Sequence, residues 1–185
     1  KSTLLEMFRD YLKTQNVADE QIVYINFEEL ENEALLDYKS LYNYIKERLD
    51  STKMTYVFLD EIQRVEEFQK AVDSLYVKKN VDIYITGSNA YLLSGELATL
   101  LSGRYVEINM LPLSFAEFCE MKNGDDKDKL FAEYLKNGGL PYVAMLNDET
   151  DKIDMYLEGI YNTIIVKDVE ERQNRKETNS NKRRI

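Results

Sequence analysis

The stretch Tyr56-Val57-Phe58-Leu59-Asp60-Glu61 decides how this chain is read: four apolar residues in succession, then two carboxylates without transition. An unbroken apolar run of this length marks a strand buried on both faces, and such strands belong to parallel sheets covered by helices. The same alternation recurs outward from it. Leu4, Leu5, Phe8, Tyr11 and Leu12 share one helical face, and Ile22–Phe27 is a short extended run. Leu41, Tyr44, Ile45, Arg48 and Leu49 form a second helical stripe, after an acidic stretch that suggests no definite element. Val65, Phe68, Val72, Leu75 and Tyr76 form a third stripe, and Val81–Ile85 is extended before Thr86-Gly87-Ser88-Asn89. Ala90–Leu101 predicts a helix interrupted by Gly95, and Tyr105–Met110 predicts a further strand ended by Leu111-Pro112. Strands and helices that take turns imply an α/β fold, a parallel sheet flanked by helices.

Beyond Pro112 the character changes, with no further strong strand signal. Ser114 with Glu117 has the spacing of a capping box opening a helix, and Asp128–Lys136 predicts another. Ile153, Tyr156, Leu157, Ile160 and Ile164 outline a long amphipathic helix, and Gly138-Gly139-Leu140-Pro141 is a tight turn before the last helical pair. The expected organisation is a core over residues 1–112, a small α-helical C-terminal subdomain or lid over 113–171, and a basic linker or tail over 172–185.

Composition narrows the chemistry. The 185 residues carry 24 Lys and Arg against 34 Asp and Glu, a net charge of −10, with no His and one Cys. That excludes a Ser-His-Asp triad, an imidazole proton shuttle, a His or thiolate metal site and an internal disulfide. Carboxylates, Lys, Arg, hydroxyls, backbone dipoles or a hard cation remain. Cys119 reads as a packing residue. With 44% hydrophobic residues the chain can build a core, and no run approaches the ~18 apolar residues that span a bilayer. A soluble, cytoplasmic protein with no membrane partner is expected. Tyr38, Tyr42 and Tyr44 lie among acidic residues that would repel phosphate, so they read as packing, and direct nucleic-acid binding by this core is not expected. Residues 172–185 hold six basic side chains and one acidic, either a solvated tail or an arm leading to a nucleic-acid-binding module beyond Ile185.

Three segments could carry chemistry. Lys1-Ser2-Thr3, opening the first helix, has the form of the end of a phosphate-binding loop, G-x-x-x-x-G-K-[ST], without its glycines. In such a loop the Lys reaches phosphate oxygens and the next hydroxyl holds Mg2+ at a helix N-terminus. Asp60 and Glu61 end a buried parallel strand where open α/β sheets bind ligands, so Asp60 would hold the water shell of Mg2+ and Glu61 would polarise an attacking water. Ser88 or Asn89, ending the next strand, would bond both that water and a phosphate oxygen without adding charge.

In this order and on these elements the segments resemble the prokaryotic AAA+-like P-loop ATPases, in particular the group reading Asp-Glu-Ile-Gln at the Walker B strand, here Asp60-Glu61-Ile62-Gln63. Ser102-Gly103-Arg104 and Leu111-Pro112-Leu113-Ser114-Phe115 also look like family segments, and the likeness runs from Lys1 to about Val169. The resemblance implies a P-loop nucleoside triphosphatase fold with ATP and Mg2+ as cofactors. It assigns Lys1, Ser2 and Thr3 to nucleotide binding, Ser2 and Asp60 to the metal, Glu61 to the water, and Ser88 or Asn89 to sensing. Arg104 would stabilise transition-state charge in its own subunit or across an interface, or else form a structural ion pair. Because the sequence opens on Lys1 rather than Met, the glycine loop and its strand are expected upstream; the resemblance further implies a C-terminal region downstream with a winged helix and a second domain. The implied function is Mg-dependent ATP binding with slow hydrolysis, driving or gating a linked domain or partner, with self-association possible through Arg104. The alternative is a nucleotide-dependent switch or interaction scaffold with negligible hydrolysis.

Overall fold

The computed structural model describes residues 1–87, 103–146 and 150–163. The chain divides into two compact units, Lys1–Ile108 and Asn109–Ile185.

The first unit is built on a parallel sheet of three strands, β1 (Ile22–Asn26), β2 (Thr55–Asp60) and β3 (Val81–Ile85), in the spatial order β1-β2-β3. Tyr24 stands opposite Phe58, and Leu59 opposite Ile85. Helix α1 (Ser2–Thr14) precedes β1, α2 (Tyr38–Lys46) joins β1 to β2, and α3 (Phe68–Tyr76) joins β2 to β3. Because side chains alternate along a strand, the sheet sorts its residues onto two cores. Val23, Ile25, Val57 and Leu59 pack with Leu41 and Ile45 of α2 and Phe68, Val72 and Leu75 of α3. On the other face Phe58 packs with Leu5 and Leu12 of α1 and is flanked by Phe8, Tyr24 and Tyr84. The rings of Phe58 and Tyr84 stack at 5.1 Å. Helices therefore cover both faces, and β2, with Val57, Phe58 and Leu59 wholly buried, is the double-faced strand its apolar run predicts.

The acidic stretch after β1 forms a 3-10 helix, Leu30–Leu35, that leads to Asp37. The Asp37 carboxylate caps α2 by accepting from the backbone N–H groups of Lys39 at 3.1 Å and Ser40 at 3.0 Å. Tyr38, Tyr42 and Tyr44 pack against the core of the α2 face, as packing residues should.

One expected strand is absent. Tyr105–Met110 joins no ladder, and Val106 and Ile108 are exposed. Alternating apolar residues make a strand only beside a partner's free N–H and C=O groups, and among the described residues β3 pairs with β2 alone. The helix expected over Ala90–Leu101 lies outside the described residues.

The second unit is helical: α4 (Phe115–Lys122), α5 (Lys127–Asn137), α6 (Pro141–Met145) and a helix over residues 150–163. Ser114 accepts from the Glu117 N–H, and Glu117 accepts from the Ser114 N–H at 2.7 Å, the reciprocal capping box its spacing predicts. Phe118, Leu130 and Ala144 form the core, with Cys119 packed against it.

Candidate functional site

In a parallel sheet the C-terminal strand ends form a rim where side chains from neighbouring strands meet. Here the register brings Asp60, at the end of β2, beside Thr86, the first residue beyond β3. Asp60 shares parity with Tyr56 and Phe58, and Thr86 with Tyr84. Both therefore stand on the sheet face covered by α1.

Asp60 is wholly buried. Its Oδ1 accepts from the Thr86 hydroxyl, and its Oδ2 accepts from the Tyr24 hydroxyl at 3.4 Å. Burial, and next the charge of Asp60, push the Tyr24 phenol up to about 12, so it stays a donor at neutral pH. A buried carboxylate without donors would be costly, and the two hydroxyls from flanking strands hold it in place without cancelling its charge. The Asp60 backbone carbonyl meanwhile accepts from Phe27 N–H at 3.1 Å, tying the end of β2 to the exit of β1.

Glu61 turns the chain out of the strand in the left-handed region, φ +56°, a conformation costing a non-glycine residue about 1–2 kcal/mol. Its N–H donates to the Thr86 hydroxyl oxygen at 3.3 Å, and Ile62 N–H donates to the Thr86 carbonyl at 3.1 Å. Thr86 thus anchors both carboxylate-bearing residues. The Glu61 carboxylate accepts from the side-chain amide of Gln63.

Lys1 stands at the N-cap position of α1 and reaches the same rim, its Nζ donating to the Gly87 carbonyl at 2.9 Å. Ser2 is the first helical residue and is half-buried, while Thr3 is exposed. The rim thus brings together Lys1, Asp60 and Glu61, joined through Thr86-Gly87, with the N-terminus of α1 carrying Ser2 beside Lys1. Ser88 and Asn89 lie outside the described residues. Arg104 meets α3 instead: it forms an ion pair with Asp73 and lies over the Tyr76 ring at 5.7 Å. Those residues belong to the half of α3 that feeds the N-terminal end of β3, whereas Asp60 and Thr86 mark the strands' C-terminal ends.

Tyr24, Thr86 and Gln63 carry no role in the sequence reading. The register is the signal that finds Thr86 and Tyr24, since both lie on the face of Asp60 in adjacent strands.

A three-stranded parallel sheet flanked by helices, with paired acids at a buried strand end, is consistent with a P-loop-like fold. A family model described as AAA domain matches residues 1–119, and the chain belongs to that family. It is 49% identical over 183 residues to an uncharacterized protein of Haemophilus influenzae, covering 96% of this chain and 45% of that one. An uncharacterized protein of Methanocaldococcus jannaschii is 36% identical over 158 residues, covering 77% of this chain and 35% of its own length. The chain therefore spans less than half the length of these relatives. No solved structure matches it. The family match assigns residues 1–119 to an ATPase-like nucleotide-binding domain, and among the described residues no helix is long and apolar enough to cross a membrane.

Proposed function

We propose that this chain is the ATP-binding core of a Mg-dependent ATPase that hydrolyses slowly and uses the cycle to drive or gate a linked domain or partner. The observation that carries the reading is the wholly buried Asp60 held by Thr86 and Tyr24 at the rim that Lys1 also reaches. The donor set fits a hard divalent cation: a carboxylate and a serine hydroxyl are oxygen ligands of the kind Mg2+ takes, with waters and phosphate oxygens supplying the rest. Among the described residues no cluster of three Asp, Glu, His or Cys side chains could hold a metal.

In this reading Lys1 and the first amides of α1 bind phosphate oxygens. Ser2 and Asp60 hold the cation, and Glu61, beyond the strand, accepts a hydrogen bond from the attacking water and orients it. Ser88 or Asn89 would sense the terminal phosphate. When bound, the cation neutralises charge developing on the phosphate oxygens. Arg104 pairs with Asp73 in the structure, so a charge-stabilising role would require its release from that pair.

The test is calorimetric titration of the full-length protein with ATP, with and without Mg2+, beside Asp60→Asn. Mg-dependent binding that weakens at least tenfold in the variant supports the reading. Equal binding by both proteins overturns the assignment of Asp60, and no binding at all leaves the fold as an interaction scaffold.

A further inference from the structure

We infer that Gln63 is the positioning residue for the Glu61 carboxylate, holding one of its oxygens so that the other is presented to the attacking water; the inference rests on the ATPase reading of the site. Gln63 sits in the 3-10 helix Ile62–Arg64 that follows Glu61. Its backbone is fixed on both sides. Ile62 is wholly buried and donates its N–H to the Thr86 carbonyl at 3.1 Å, and the Arg64 guanidinium donates to the Phe27 carbonyl at 3.3 Å. The short helix is therefore strapped to the exits of β3 and β1. From that mount the Gln63 Nε2 donates to Glu61 Oε2.

The amide cannot be turned the other way. A carboxylate only accepts, so the NH2 end must face Glu61. Its carbonyl oxygen is then left in the interior, and among the described residues it has no donor. An unmet buried acceptor is unfavourable. If Gln63 served packing alone, an apolar side chain of the same size would serve it better. The amide is accounted for by what its NH2 end does, which is to hold Glu61.

Glu61 needs such a holder. It leaves β2 in the left-handed region, and an unrestrained Glu side chain there would sample several rotamers. Catalytic geometry tolerates little of this, since a misplacement of about 1 Å costs as much as 100-fold in rate. A neutral amide donor restrains the carboxylate without discharging it, as a Lys or Arg in its place would.

The test uses the full-length protein and compares wild type, Glu61→Gln, Gln63→Leu, Gln63→Met and the double variant Glu61→Gln/Gln63→Leu. Steady-state Mg-ATP turnover, Mg-ADP affinity and Tm are measured for each. Gln63→Leu should lower kcat by about tenfold or more, leave KM and Mg-ADP affinity within about twofold, and leave Tm unchanged or raised, because the unmet acceptor is gone. Gln63→Met, equal in length but without the donor, should lose kcat alike and carries the test if the Leu variant does not fold. In the Glu61→Gln background, Gln63→Leu should cause no further loss, since both changes remove one function. If Glu61→Gln loses turnover while both Gln63 variants keep it, the inference falls and the ATPase reading stands. A loss that multiplies in the double variant, or that follows a lowered Tm, overturns the inference as well. If wild type turns over no ATP, or Glu61→Gln is as active as wild type, the role of Glu61 fails and the inference with it.

Discussion

The hydroxyl of Thr86 donates to Oδ1 of Asp60 across the β2–β3 pair, and its oxygen accepts the N–H of Glu61 at 3.3 Å. One side chain beyond β3 thus fixes both acids at the end of β2. Thr86→Val keeps the shape and removes the donor, leaving a wholly buried carboxylate short of a partner. The expected loss is about 1–3 kcal/mol of stability, read from urea unfolding. Thr86→Ser should restore most of it. An unfolding midpoint for Thr86→Val equal to wild type would show that Asp60 does not depend on this bond.

Carboxylates that cap backbone groups also set how stability follows pH. Asp37 lies below its ordinary value of 3.8, chiefly because it accepts from the Ser40 N–H and then from the Ser40 hydroxyl and Lys39 N–H. Asp50 is lowered by Thr52, and Glu117 by Ser114. A group depressed by folding contributes stability that is fully present above its unfolded pKa and is lost as pH falls through the folded one. Urea midpoints should therefore hold steady from neutral pH to the ordinary carboxylate range and fall below it. Asp37→Asn, which keeps a good N-cap without the titrating group, should flatten part of that fall. An acid limb identical to wild type would remove Asp37 from the account.

In the second unit, Leu113 N–H donates to the Gly139 carbonyl at 2.7 Å, and the Leu113 carbonyl accepts from the Tyr134 hydroxyl at 2.8 Å. A Cβ on Gly139 would collide with that same carbonyl and press on the Tyr134 ring. Gly139→Ala should destabilise this unit by about 1–3 kcal/mol, as overpacking does, and speed amide exchange at Leu113. By contrast nothing lies within 4 Å of a Cβ on Gly138, where positive φ is the constraint instead. Wild-type exchange at Leu113 in Gly139→Ala would contradict the close approach.

Tyr105–Met110 shows where reading the sequence fails. Its apolar content is close to that of β1, yet it makes no strand, because pairing depends on a neighbour that the segment's own composition does not encode. Val65 misled in a smaller way. It fits the stripe of α3 by spacing, but α3 begins at Phe68, after Glu67 takes a positive φ, and Val65 reaches the core from the preceding turn. Arg104 allows two readings in sequence, a charge-stabilising arginine or a structural ion pair, and in the structure it pairs with Asp73 and lies over the Tyr76 ring.

The features legible along the chain are local ones. The apolar run into Asp60-Glu61, the helical stripes of α1 to α3, the Ser114–Glu117 box and the turn at Gly138-Gly139 follow from side-chain periodicity and capping chemistry, which act over a few residues. Which side chains share the rim follows from folding instead. Tyr24, Asp60 and Thr86 are far apart in the chain and come together only because parallel register and strand parity put them on one face. Register is set by the sum of packing on both faces of the sheet, and no single stretch of sequence contains that sum.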